Sequence, residues 1–213
     1  MGTPNKLLPG QISSPSGRPR LDYGAVARLA FPFMLNSAVQ AVLNATDTWF
    51  VGRLSPAATS AMGAVYWPVL VFILLFGGVG LSVQTLVAQA YGGERGARAS
   101  QAVWTALWAS LFTVPAFAAL ALAGSWIFSP FGIAFGTLRL ALDYWFPRIL
   151  TAPFAIALWS LLGFFNGIGR PTVTLRVTLY VAVVNAAFNQ LFIFNFGLGV
   201  AGSAWATAVA QFV

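Results

Sequence analysis

Four polar side chains in an otherwise apolar run frame the chemistry open to this chain. Asn36, Gln40, Asn44 and Asp47 follow one another at intervals of four, four and three residues. Helical periodicity puts all four on one face, and lipid cannot cover that face. Asp47 matters most, because the 213-residue chain carries only four acidic residues. A carboxylate at bilayer depth costs about 2.5–3.5 kcal/mol on insertion scales. An Asn would hold helices together without a charge-capable group, so the acid points to function. The plainer alternative is an acid near a helix end that reaches water, since Gly52 and Arg53 follow closely. A buried carboxyl group has two uses: it takes up and releases a proton, or it joins neutral oxygens around Na⁺. Either event changes local charge by one unit and biases a helix bundle between two shapes. Coupling an ion gradient to substrate movement requires such a bias.

Other apolar runs repeat the device. Asn185 and Asn189 lie one turn apart, with Thr178 two turns earlier, and Ser203, Thr207 and Gln211 recur every four residues. Three helices with polar inner faces, one carrying an acid, can together make a hydrophilic pocket. The competing reading is interhelical glue, worth about 0.6 kcal/mol per hydrogen bond. It suits Asn36, Gln40, Ser203 and Gln211 better than it suits Asp47. Asp143 and Arg148 are five residues apart, so they do not stack on one face, and a structural or interfacial role is the simpler reading for both.

The elements that must position these groups are membrane helices. Charged residues make up 7% of the chain, against about 25% in soluble domains. So little charge cannot cover a water-facing surface. The fold class is an all-α membrane protein. With no Cys and no His, the chain lacks disulfides, thiol catalysis, the usual general base and the commonest metal ligand, so it does not read as an enzyme. Hydrophobic spans are placed at about 26–51, 57–90, 100–127, 138–165, 172–195 and 200–213. Each of the first five can cross roughly 30 Å of hydrocarbon. The sixth, at 1.5 Å per residue, reaches only about 21 Å, so it reads as truncated and the sequence as part of a longer protein. Residues 1–23, rich in Pro, Gly and Ser, read as a disordered cytoplasmic tail ahead of a six-helix lobe over 24–213.

Charge sets the orientation. Lys6, Arg18, Arg20, Arg28, Arg95, Arg98, Arg170 and Arg176 fall on one side if six spans alternate, leaving Arg53 and Arg139 opposite. The positive-inside rule then makes the N-terminus cytoplasmic, in a multi-pass integral membrane protein. The net charge of +7 is explained by orientation, so nucleic acid is not an expected partner. Prolines at 32, 68, 115, 147 and 153 read mostly as kinks. Gly77-Gly78-Val79-Gly80 reads as a place of close helix packing.

Several stretches, in order, resemble one family. They are Pro32 with Asn44-Ala-Thr-Asp-Thr-Trp-Phe-Val-Gly52, Gln84-Thr-Leu-Val-Ala-Gln-Ala-Tyr-Gly-Gly93, Asn166-Gly-Ile-Gly-Arg-Pro171, Asn185-Ala-Ala-Phe-Asn189 and Gly199-Val-Ala-Gly-Ser-Ala-Trp-Ala-Thr207. The pattern resembles MATE (multidrug and toxic compound extrusion) transporters, most of all their DNA-damage-inducible-like branch. The resemblance implies twelve helices in two six-helix lobes around a cavity that opens alternately to each side. This chain supplies the N-lobe, and a missing C-terminal lobe is an implied partner. It further implies a cation- or proton-binding site of Asp47, Tyr144, Asn185, Asn189 and Thr207, with Pro32 as a bending proline. Some relatives have an acid at the second fifth-helix position; here it is Asn189, which leaves Asp47 the sole acid of that site. Asn36, Gln40 and Asn44 are expected to line the cavity.

The leading functional expectation is a secondary antiporter. It would export small organic compounds or drugs, in exchange for H⁺ or Na⁺, from a bacterial-type plasma membrane, with membrane lipids around it and no cofactor. A flippase for lipid-linked precursors shares a related architecture. It would line its cavity with several cations, whereas only Arg148 lies clearly within a span. A non-transporting half-length membrane protein is a further alternative. A channel would need a filter sequence, and none is seen.

Overall fold

The structure is a computed structural model that describes residues 11–13 and 19–213. Two short strands come first, β1 (Gln11–Ser13) and β2 (Pro19–Leu21). Within the described part of the 1–23 stretch that the sequence reads as a disordered tail, Ile12 and Arg20 are register partners in an antiparallel ladder. The remainder of that prediction falls on residues outside the described set. Nine α-helices follow among the described residues: α1 (Tyr23–Gly52), α2 (Pro56–Gly92), α3 (Gly96–Phe112), α4 (Val114–Leu122), α5 (Gly124–Phe128), α6 (Phe135–Leu150), α7 (Ala152–Gly167), α8 (Pro171–Asn189) and α9 (Gly199–Phe212).

Local chemistry sets the ends. The Asp22 side chain accepts from the Ala25 amide at 3.1 Å and caps α1. Ser55 does the same for α2 through Ala58, with Pro56 in the first turn. Both satisfy amides that have no partner inside the helix. α1 runs unbroken through Pro32, although proline offers no proton to the carbonyl four residues back. The third predicted span, 100–127, begins earlier, at Gly96, and is segmented at Thr113 and Ala123 into α3, α4 and α5.

Four helical stretches are long and apolar enough to cross a membrane: Tyr23–Gly52, Pro56–Gly92, Gly96–Leu122 and Pro171–Asn195. α6 and α7, bent by 46° at the break between them, are long and apolar enough to make a fifth if the pair is one span. The bend falls at Thr151, whose hydroxyl donates to the Pro147 carbonyl at 2.7 Å. Pro153, the second residue of α7, cannot donate to residue 149, so one helical hydrogen bond is missing at the bend. α9, with 14 residues, ends the bundle.

α2 packs against α3, α6 and α7, while α1 packs on α8 and α9 packs on both α6 and α8. At the centre of the first group Trp145 is fully buried, edge-on to Phe128 and Phe72, and its indole N–H donates to the Leu120 carbonyl at 3.0 Å. In lipid no hydrophobic drive joins helices, so such interdigitation and close approach carry the packing. Gly80 is one such approach. A Cβ there would lie 3.0 Å from both the Ile156 carbonyl oxygen and Ser160 Oγ. Gly78 of the same glycine cluster meets nothing within 4 Å.

Candidate cation site and adjoining cavity

α1, α8 and α9 bring four of the five residues of the expected cation site together. Asn189 Nδ2 donates to Asp47 Oδ1 at 2.6 Å and to Asn185 Oδ1 at 2.9 Å. Asn185 Nδ2 donates to Thr207 Oγ1 at 3.2 Å. The Thr207 hydroxyl has one proton and two acceptors in reach, the Ser203 carbonyl at 3.0 Å and Asp47 Oδ2 at 3.4 Å. Asp47 is 6% exposed, and Asn185 and Asn189 are 0% exposed. The acid therefore does not reach water at a helix end, as the plainer sequence reading has it.

The reason for this meeting is geometric. Positions 185 and 189 share one face of α8. Immediately after Asn189 the helix widens into a π-helical segment, Gln190–Asn195. Such segments occur often at functional sites. The chain then turns at Gly197 and Gly199, with φ of 66° and 56°, and returns as α9. There, a Cβ on Gly202 would stand 2.8 Å from the Phe192 carbonyl carbon. Only glycine lets α9 lie this close to the π-helical segment, and that closeness carries Thr207 to Asn185.

Tyr144, the fifth member, is buried on α6 and shares a cavity with Asp47 but not with Asn185, Asn189 or Thr207. A cavity of about 350 Å³ is walled by α1, α2, α6, α7, α8 and α9, and Asp47, Tyr144, Gln40, Asn44, Thr178 and Gln211 all line it. Its apolar wall includes Trp159, Tyr66 and Leu70. Asn36 corrects the expectation: it does not line this cavity, and its carboxamide oxygen is buried without a hydrogen-bond partner among the described residues. Eleven residues separate Asn36 from Asp47, about 16 Å along a helix, which places it at another depth of the bundle. Pro32 is buried on the same helix.

Arg148 is the functional candidate that sequence reasoning set aside. It is half-buried in the last turn of α6 and lines the cavity with Asp47. The signal was present, since a guanidinium inside a span is costly unless it faces protein or water. Asp143, five residues earlier, is exposed.

The oxygens gathered here are hard donors. Besides the Asp47 carboxylate, Asn189 Oδ1 is buried without a hydrogen-bond partner among the described residues. Such a set suits a proton on the carboxylate or a small hard cation. No cluster of three or more His, Cys, Asp or Glu side chains suited to a tightly held metal occurs among the described residues.

Fold and site together define a polytopic helical membrane protein with a buried ionisable cluster beside an internal cavity. The chain belongs to the MatE family, whose family model matches residues 32–191. It is 32% identical, over 94% of its length and 41% of the other's, to a probable multidrug resistance protein NorM of Pseudomonas aeruginosa. It is 23% identical to the multidrug export protein MepA of Staphylococcus aureus, over 89% of this chain and 42% of that one. In fold it matches an outward-facing multidrug resistance MATE family transporter of the MOP superfamily. That match has a TM-score of 0.80 at 24% identity, and covers 88% of this chain and 42% of the other. The chain thus spans about two-fifths of the length of these relatives, the extent of one lobe.

Proposed function

We propose that this chain forms the N-terminal lobe of a secondary antiporter that moves small organic compounds out across a membrane in exchange for H⁺ or Na⁺, by alternating access. One observation carries the reading. Asp47 is buried in a polar cluster drawn from three helices and also lines a cavity of about 350 Å³ with an aromatic and aliphatic wall. Ion and cargo then share a boundary. An ion on Asp47 changes the charge facing the cavity by one unit. It also competes with the Asn189 amide and the Thr207 hydroxyl for the same two oxygens. Rearranging those bonds shifts α1 relative to α8 and α9, and the ion selects one arrangement by its differential affinity. Asp47 acts as the ion-binding acid, Asn185, Asn189 and Thr207 as its neutral partners, and Tyr144 with Gln40 and Asn44 as cavity wall. The names of the relatives, multidrug resistance and multidrug export proteins, support the cargo class.

The test is Asp47→Asn in the natural-length protein, reconstituted in vesicles with an imposed pH or Na⁺ gradient. The carboxamide keeps an acceptor for Asn189 and the fold with it, so membrane insertion persists and gradient-driven efflux falls to background. Undiminished efflux would remove Asp47 from the mechanism.

A further inference from the structure

A second concavity, of about 490 Å³, runs between α2 and α3, and none of its lining residues belongs to the cavity beside Asp47. Its walls change character along their length. At the end near the α2–α3 turn stand Arg95, Arg98, Gln89 and Gln101. Both arginines are exposed, and Arg95 Nε sits over Gly93 at the end of α2. Farther from the turn the walls become Leu86, Val83, Val79 and Ala106. No acid lines the groove; Glu94, in the same turn, is not part of its wall.

The dimensions identify an occupant. From Gln89 to Val79 the groove follows ten residues of α2, about 15 Å at 1.5 Å per residue. One leaflet of a hydrocarbon core about 30 Å thick has that depth. Two guanidiniums at the headgroup level and an apolar trough one leaflet deep match a single amphiphile with an acidic head. We infer that this groove binds an anionic phospholipid of the leaflet next to the α2–α3 turn, the cytoplasmic one by charge asymmetry. The phosphate sits on Arg95 and Arg98, whose planar forks suit its oxygens. Gln89 and Gln101 donate to the glycerol and ester oxygens, and one acyl chain lies along Leu86, Val83 and Val79. The chain's own acids number only four, so a phosphate-bearing lipid, present throughout the leaflet, complements this rim better than a second copy or an apolar helix does. The assignment does not depend on the antiport reading.

Native mass spectrometry of the natural-length protein, released from mild detergent with added phosphatidylglycerol or phosphatidylcholine, tests it. Phosphatidylglycerol is retained as a one-to-one adduct and phosphatidylcholine is not, and excess inorganic phosphate does not displace the adduct. Arg95→Gln with Arg98→Gln weakens retention at least about tenfold, as expected for two basic residues at a lipid surface. Ala102→Phe, which narrows the trough without changing charge, weakens it as well. Arg170→Gln with Arg176→Gln, on the same membrane side but outside the groove, leaves it unchanged. The inference is overturned if the two double variants lose the lipid equally, or if both lipids bind alike. A photo-crosslinker at Gln101 that joins another protein segment instead of lipid overturns it too.

Discussion

At Asp47 two hydrogen bonds of unequal length set how the site responds to mutation. The bond from Asn189 is short, 2.6 Å, whereas the 3.4 Å approach of Thr207 competes with the shorter bond to the Ser203 carbonyl. Thr207→Val removes that contact and also the acceptor of the buried Asn185 amide, and should cost about 1–3 kcal/mol. Asn189→Leu leaves a buried carboxylate oxygen without its donor and should cost about 1–3 kcal/mol. Unfolding in detergent micelles measures both, and wild-type stability of either variant would show that its bonds do not hold the cluster together. Much of this cluster is legible in the sequence, because Asn185, Asn189 and Thr207 recur at helical spacing in apolar runs. Arg148 is less so. Five residues from Asp143, it gives no face by itself, and only the fold separates the two, one into the cavity and one to the surface.

Among the elements, the π-helical segment and α9 form the joint on which the site depends. Gly202 meets the Phe192 carbonyl carbon closely enough that any side chain must push α9 away. Gly202→Leu should destabilise by about 1–3 kcal/mol, in line with other overpacked sites, and should part Thr207 from Asn185. The same unfolding measurement tests the first point. Loss of gradient-driven efflux with Asp47 intact tests the second, and wild-type behaviour in both would show that the joint is slack. The bend between α6 and α7 works similarly. Prolines at 147 and 153 announce a break in the sequence, but they do not fix the 46° angle, which depends on what α2 and α9 press against the two halves.

For the whole molecule, the charge asymmetry of the turns predicts a topology. The chain has no cysteine, so single cysteines report cleanly. Ala97, Thr172, Ala57 and Ala134 are all exposed near helix ends. An impermeant thiol reagent added outside intact cells should label Ala57→Cys and Ala134→Cys, and should leave Ala97→Cys and Thr172→Cys untouched until the membrane is opened. The opposite pattern would invert the assigned orientation, and with it the leaflet proposed for the phospholipid. Trp104 and Trp126, 61% and 79% exposed, fit the outer surface of a bundle that presents large aromatic side chains to lipid and interface.

Periodicity is a local property, and it determined what local properties can: six apolar stretches, a wet stripe on α1, further polar stripes on α8 and α9, and the singular position of Asp47. Which stripe meets which is not local. It was decided by a 46° bend at Thr151, by a π-helical widening after Asn189 and by a glycine that admits α9 to that widened turn. The same tertiary packing turned Arg148 inward and left Asn36 outside the cavity. Helical spacing fixes the angle of a side chain about its own axis, but only the contacts between helices fix where that axis lies.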